Sequence, residues 1–498
     1  MPVASKGFVS TLDRYDAIVI GAGVAGLTAA AALAHRSIST LLVERHNVPG
    51  GCASFYQRDG FRFDVGATLV GGFGPRGVHR LFNAEIGIDV SPEPIEPSMV
   101  VHLPDLSVTR YGDDRWRGER LRAFGPEAEP FWKRQERIAD LAYDFSMGFP
   151  ALPFDVASAA TLARAFRPRH LPLLATLGRT VASIMPAAPS ARLKSFVDAQ
   201  LLITAQTDAA GADLAYGATA LDLAREGTFH LPDGISTISV ALARAIRRAG
   251  SSIVYNQSVV AIETRRGRVC AVRLGDGTRI RTSRVISALP ISNTIELCPE
   301  IDRAFQPRLA ALPERWGAFM LYVGLPPAIV PGDLPTHHQL VGAYDEPPGE
   351  GNTAFLSFSG KTELRRARNG GRAVTISTHT DVARWERAER DGTVEALRTR
   401  YTRRLEAALD RVVPGASRRA VVLEAATPMT FARYTGRRRG LVGGLPQTPR
   451  NATLGAIGHR TPVAGLYLCG DSTFPGQSTV GATLSGVNAA RAASDRFS

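Results

Sequence analysis

An α/β fold, with a doubly wound parallel sheet beside a mixed α+β region, is what the sequence predicts, on three observations. A short β-branched run, Asp16-Ala17-Ile18-Val19-Ile20, leads into a glycine-rich turn and an alanine-leucine helix from Val24 to His35. A second apolar strand, Thr40 to Val43, follows that helix and closes on an acid, Glu44. Far along the chain, Gly465-Leu466-Tyr467-Leu468-Cys469-Gly470-Asp471 is another short apolar strand ending in glycine and acid, with a helical run from Thr479 to Phe497 behind it. Strands that are apolar throughout are buried on both faces, as in a parallel sheet covered by helices.

The first unit carries the most chemistry. Gly21-Ala22-Gly23-Val24-Ala25-Gly26 is a G-x-G-x-x-G that follows a strand and opens a helix, with Glu44 18 positions beyond Gly26. Gly21 permits the turn, Gly23 lets backbone approach a pyrophosphate, and Gly26 lets helix and strand pack closely. The helix N-terminus adds free N–H groups and partial positive charge, and Glu44 accepts hydrogen bonds from an adenosine ribose. These features predict a dinucleotide site. The strand ending in Gly470-Asp471 points to FAD rather than NAD. In a two-dinucleotide-binding-type Rossmann domain such an acid bonds the ribityl or pyrophosphate part of FAD, and the next helix aims its N-terminus at the flavin. A second match, Gly72 to Gly77, reads as a glycine-rich loop, because Pro75 removes an N–H that a phosphate cradle needs. No second nucleotide domain to bring NAD(P)H is expected.

Composition removes several other classes. At 498 residues the chain is too long for one compact core, and 44% hydrophobic with 21% charged residues is globular rather than disordered. The net charge is +13, yet the arginines are scattered and no basic stretch is interleaved with stacking aromatics, so no nucleic-acid partner is expected. Cys52, Cys270, Cys298 and Cys469 lie far apart with no Cys-x-x-Cys, which fits a reducing cytoplasm and no metal site. Met1 to Arg14 is too polar for a secretory signal. Ala17 to Ala34 is uncharged for 18 residues, the minimum for a membrane span, but Gly21, Gly23 and Gly26 make it a strand, a turn and a helix.

The nucleotide-binding pieces sit at both ends and in the middle, so the expected FAD domain is discontinuous: 1–72, 227–290 and 457–498. Its middle piece reads as a helix from Ile235 to Arg248, a strand from Ile253 to Tyr255, and a meander of Val259–Thr264, Val269–Leu274 and a returning strand Val285–Ala288. The remainder, 73–226 and 291–456, is the expected substrate domain, with strands at Phe319–Val323, Ala354–Ser359 and Ala373–Thr378. Within it, 157–185 sets Arg164, Arg167, Arg169 and Arg179 among apolar residues, with breaks at Pro168 and Pro172. That stretch reads either as a membrane-docking patch or as amphipathic helices over a core. Arg437-Arg438-Arg439 reads as a solvated turn.

Two long segments carry a family resemblance. Val43 to Gly72 (VERHNVPGGCASFYQRDGFRFDVGATLVGG) and Thr427 to Asn488, containing TPMTFARYTGRRRG and GLYLCGDSTFPGQSTVGATLSG, resemble the carotenoid desaturase and isomerase family of flavoproteins. The resemblance implies non-covalent FAD held by Gly21, Gly23, Val24, Ala25, Gly26, Glu44 and Arg45. It adds the double glycine Gly50 and Gly51, Thr68 beside the flavin, Val259 at adenine, and Gly470, Asp471, Val480 and Gly481 at the ribityl and pyrophosphate end. Cys52 stands where many relatives have Ser or Arg, and is read as a small neutral filler.

The resemblance further implies a lipid-soluble polyene substrate, a cytoplasmic protein peripherally bound to a membrane surface, and oxygen or a quinone as electron acceptor. The leading expectation is desaturation near an end group (C-3,4 type) of an acyclic or hydroxylated carotenoid, because Phe196 to Asp222 looks most like bacterial desaturases of that kind. Alternatives are cis-trans isomerisation with reduced FAD, a flavin amine oxidase, and a non-catalytic prenyl carrier. No catalytic base is assigned: Asp198, Asp208, Glu226 and His230 are read as structural.

Overall fold

The computed structural model describes residues 13–146, 150–153, 156–312, 316–363 and 365–494. Most of the expected N-terminal tail, and the expected helix beyond Ser494, lie outside the described residues.

Five short strands form a parallel sheet in the order Leu466–Leu468, Val285–Ser287, Ala17–Ile20, Thr40–Val43, Ser252–Val254. All but the edge strand Ser252–Val254 are buried throughout, which is why they read as unbroken apolar runs. The helix Val24–His35 buries every residue from Val24 to Ala34, because it lies between Ser236–Arg248 and Thr479–Ser494 as well as on the sheet. Its run of alanines permits that crowding: a Cβ on Gly486 of the last helix would stand 2.4 Å from the Ala25 carbonyl oxygen.

One expected connection is corrected. Val259–Arg265, Arg268–Leu274 and Arg279–Arg281 make the meander, and Val285–Ser287 is not its third strand but lies in the parallel sheet between Ala17–Ile20 and Leu466–Leu468. The reason is burial. Arg279 and Arg281 alternate with buried Ile280, as a half-exposed strand should, whereas Val285, Ile286 and Ser287 are all buried and need cover on both faces.

The second sheet has seven strands in the order Val422–Ala426, Trp316–Leu325, Arg372–Asp381, Thr353–Phe358, His337–Val341, Met99–His102, Ser107–Arg110. It is antiparallel apart from the His337–Val341 and Met99–His102 pair. Of the three strands expected in this region, Phe319–Val323 and Ala373–Thr378 fall inside its members, and Ala354–Ser359 runs one residue past Thr353–Phe358. All ten residues of Trp316–Leu325 are buried: Trp385, Tyr401 and Leu405 pack with Phe319 and Leu321, while Phe61 and Phe63 pack with Met320 and Tyr322.

The 157–185 stretch forms all but the first residue of a helix, Val156–Ala165, then 3-10 helices over Pro168–Thr176 and Val181–Ile184. Leu171, Leu174 and Leu177 are 54%, 53% and 43% exposed, beside exposed Arg167, Arg169 and Arg179.

Candidate functional site

The glycine turn, the double glycine and the end of the C-terminal strand converge on one place. Gly21 has φ +96°, a conformation that favours glycine, and a Cβ on Gly26 would lie 2.0 Å from the Gly21 carbonyl oxygen, so neither position accepts a side chain. The Gly50 N–H donates to the Ala22 carbonyl at 2.7 Å, pairing the double glycine with the fingerprint loop. A Cβ at Gly21 would lie 3.8 Å from the Ala288 carbonyl oxygen and one at Gly470 3.7 Å from the same atom, so the turns from the two ends of the chain flank it. Gly470 donates its N–H to Ser485 Oγ of the last helix at 3.1 Å.

Glu44 accepts from the Ala22 N–H through Oε2 at 2.6 Å and from the His46 N–H through Oε1 at 2.8 Å, which fixes the carboxylate against the turn. Arg45 is exposed and donates to the Arg433 carbonyl at 3.0 Å, at the C-terminal end of the helix Pro428–Thr435. The Gln257 N–H binds the Glu44 carbonyl at 3.0 Å, bringing the chain just before Val259 behind the acid.

The 66–72 segment crosses this ring. The Ala67 N–H donates to the Cys52 carbonyl at 3.0 Å, and a Cβ on Gly72 would lie 2.8 Å from Val480, so the segment carrying Thr68 runs from the double glycine to the start of the last helix. Ser478 Oγ takes the Gly481 N–H there at 3.0 Å. Gly72 to Gly77 itself is a loop before the short helix Val78–Glu85.

Arg437 corrects the expectation of a solvated turn. Its guanidinium is 12% exposed, with Nη2 2.8 Å from Asp471 Oδ2, and Arg439 binds Glu386 at 2.7 Å through its own Nη2; only Arg438 of the three is exposed. Each of these two half-buried arginines found a carboxylate from a distant segment, a pairing that local sequence does not display. Burial pushes the Cys52 thiol up, against the neighbouring guanidinium of Arg437, so the sulfur stays protonated at neutral pH.

Two cavities adjoin these elements. One, of about 660 Å³ with its open mouth, is lined by Ile291, Leu309, Leu312, Trp316, Leu441 and Leu445, and by Gln206, Arg437, Arg438 and Ser472. No carboxylate or imidazole lines it among the described residues. It shares Arg437 with the Asp471 pair.

The second, of about 270 Å³ counting its open mouth, is polar. Asp64 Oδ2 sits 2.9 Å from Arg366 Nη2, and Glu363 is 3.3 Å from both Arg366 Nη1 and His230 Nδ1. His230 Nε2 pairs with Thr336 at 2.9 Å, His337 with Ser357 at 2.9 Å, and Ser357 donates to Thr68 Oγ1 at 2.7 Å. Burial pushes Asp64 up to about 6 against the pull of Arg366, whereas His230 and Arg366 overcome burial to hold Glu363 below the usual carboxylate range. Of these the sequence reading singled out His230, as structural, and Thr68, as a flavin neighbour. The cluster draws on residues 64, 230, 336–337, 357, 363 and 366, and nothing in their spacing joins them.

The other acids singled out have local partners. Asp198 binds Lys194 and the Ala209 N–H, Asp208 the Gly211 N–H, and Glu226 pairs with Arg76.

Comparison with known proteins places the chain. The family described as flavin containing amine oxidoreductase matches residues 24–494, and the chain belongs to it. A prolycopene isomerase of an Oncidium hybrid cultivar is 29% identical over 99% of this chain and 86% of its own length, and one from Arabidopsis thaliana 29% over 97% and 83%. A lycopene-forming phytoene desaturase of a Paracoccus species is 24% identical over 93% and 94%. In fold the chain is similar to an oxidoreductase from Methanosarcina mazei (TM-score 0.62, 17% identity, 94% of this chain and 98% of that one). It is equally similar to putrescine oxidase (TM-score 0.62, 16% identity, 96% and 98%). The protein is thus a flavin-dependent oxidoreductase of that family.

The residues present fit the flavin that the family implies. Gly23 begins the first helix with no side-chain cap, and a Cβ placed there would meet nothing within 4 Å, leaving open space before the helix N-terminus where an anionic group is stabilised.

Proposed function

We propose that this enzyme holds FAD non-covalently and acts on the double bonds of a long polyene, with cis-trans isomerisation ahead of desaturation. In this reading Gly21, Gly23, Val24, Ala25 and Gly26 cradle the pyrophosphate, with Gly50 and Gly51 closing it. Glu44 and Arg45 flank the adenosine ribose and Val259 meets adenine. Asp471, steadied by Arg437, takes the ribityl chain with Gly470, while Thr68, Val480 and Gly481 border the ring system. Bound there, flavin supplies reversible electron or hydride transfer. The chain's part is to orient, exclude water and set the local charge.

The observation that carries the order is the near full-length similarity to prolycopene isomerases. The cavity beside Arg437, apolar and adjoining the Asp471 pair, suits an apolar ligand in either reading. Removing hydrogen from neighbouring carbons requires a proton acceptor as well as a hydride acceptor, whereas isomerisation needs neither. Desaturation near an end group is the second reading, favoured by the similarity to phytoene desaturases, and it alone needs oxygen or a quinone to reoxidise the flavin.

Access from a lipid surface belongs to the same proposal. No helix among the described residues is long and apolar enough to cross a membrane, but Leu171, Leu174 and Leu177 between exposed arginines suit a peripheral dock. Flotation with anionic liposomes should weaken as salt screens the guanidinium groups, and no flotation at low salt removes the dock.

The deciding assay incubates flavin-loaded, reduced enzyme with a poly-cis carotene in anionic liposomes. An all-trans product of unchanged mass supports isomerisation. A product two hydrogens lighter, formed by the oxidised enzyme, installs the desaturase, and no turnover of either kind removes the polyene reading.

A further inference from the structure

The polar cavity and the flavin site proposed above meet at one hydroxyl, that of Thr68. His337 and Ser357 stand directly opposite each other on neighbouring strands of the seven-stranded sheet, and each is 5% exposed or less. Ser357 gives its hydroxyl hydrogen to Thr68 Oγ1 at 2.7 Å, so toward His337 Nδ1, 2.9 Å away, its oxygen can only accept. Burial holds His337 down at about 3, which leaves the ring one hydrogen at neutral pH, and the bond to Ser357 places that hydrogen on Nδ1. The imidazole is itself held against the Phe355 ring, with centroids 5.7 Å apart and planes 18° from parallel. Every hydrogen in this row therefore points the same way, from His337 through Ser357 to Thr68.

Thr68 ends the row with a hydrogen of its own to give. Its oxygen accepts from Ser357, no acceptor among the described residues takes its hydrogen, and unlike its two partners it is only half-buried. The backbone before it is tied on both sides. The Ala67 N–H donates to the Cys52 carbonyl next to the double glycine, and the Tyr322 hydroxyl of the sheet donates to the Val65 carbonyl at 2.7 Å. We infer that His337 and Ser357 are positioning residues that aim the Thr68 hydroxyl at an acceptor atom of the flavin ring. A donor fixed before its ligand arrives stabilises the form that carries more negative charge, which is the reduced flavin. Aligned hydrogen bonds polarise one another in the same sense. The inference rests on the flavin placement proposed above. It adds His337 and Ser357, which act only through Thr68, and the property they set, the ease of reducing the flavin.

The test measures the reduction potential of the FAD-loaded protein by equilibration with a reference dye. Thr68→Val replaces a hydroxyl by a methyl of similar size, and should lower the ratio of reduced to oxidised flavin at a given dye potential about tenfold, a shift of about 30 mV for a two-electron couple. Ser357→Ala and His337→Phe leave Thr68 its hydroxyl but free it to turn, and should each lower the ratio about threefold, while Ser357→Thr, which keeps the relaying hydroxyl, should stay within about twofold of wild type. FAD that binds with a potential Thr68→Val leaves unchanged overturns the inference alone, because the hydrogen then serves water in the polar cavity. That comparison holds however the variants of the buried pair fold. A drop in Thr68→Val that neither Ser357→Ala nor His337→Phe shares also overturns it, since Thr68 then needs no aiming. Wild-type protein that takes up no FAD removes the flavin site and the inference with it.

Discussion

The nucleotide cradle and the polar cavity beside the seven-stranded sheet hold their polar groups by opposite means. The cradle is made of backbone: Gly21, Gly26, Gly50 and Gly470 shape it by what they lack, and Glu44 is the side chain tied back to its turn. The polar cavity is made of side chains, with Asp64, Glu363 and Arg366 each 5% exposed or less and satisfied by one another. Where the backbone site has room for a side chain, at Gly23, a substitution should cost the ligand rather than the fold, whereas a side-chain cluster loses the fold first.

Breaking the cluster should have the largest effect. Arg366→Ala leaves two buried carboxylates without their shared cation, and removing one member of a buried ionic group costs about 3–5 kcal/mol. The midpoint of urea unfolding should fall accordingly; an unchanged midpoint means the cavity is wetter than its geometry indicates.

His79, in the helix Val78–Glu85, packs against the last helix, with its ring centroid 5.1 Å from that of Phe73 and Nδ1 3.3 Å from Thr483. Burial pushes it down to about 4 from an ordinary 6.5. A depressed histidine stabilises the fold above its unfolded value, and that contribution disappears as pH falls through its folded value. The shift corresponds to about 3 kcal/mol at 1.36 kcal/mol per unit. His79→Phe should therefore flatten the loss of stability between pH 6.5 and 4, and a wild-type slope in that variant would contradict the burial.

On the backbone side the effects are smaller and fall on the ligand. Asp471→Ala removes a charge-assisted hydrogen bond worth about 1.5–3 kcal/mol, so FAD affinity should drop at least tenfold by fluorescence titration. Gly23→Ala sharpens the contrast most. Gly23 has φ −67° and open space before it, so the variant should unfold within about 0.5 kcal/mol of wild type while binding less flavin. Undiminished flavin content in that variant would move the pyrophosphate elsewhere.

The same difference explains what was legible in the sequence. Gly21 to Gly26 with Glu44, and Gly470-Asp471 before a helix, are local patterns in which spacing and residue type are the signal, and the strands and helices they imply are present. Arg437 was not legible, because three arginines in a row look solvated until Asp471 and Glu386 arrive from other parts of the chain. The Asp64, His230, Glu363 and Arg366 group shares that property, having no motif and meeting only through tertiary packing. Val285–Ser287 was assigned to the wrong sheet for a different reason: a three-residue apolar strand after two meander strands suits either partner, and only burial on both faces decides.

The most direct test of the account is the flavin itself. Protein purified without added cofactor should be yellow, release a single FAD per chain into the supernatant on acid precipitation, and rebind FAD when refolded. A colourless protein that refuses FAD in titration, or flavin that stays with the precipitated polypeptide, would contradict a non-covalent site built on Gly21 to Gly26 and Asp471.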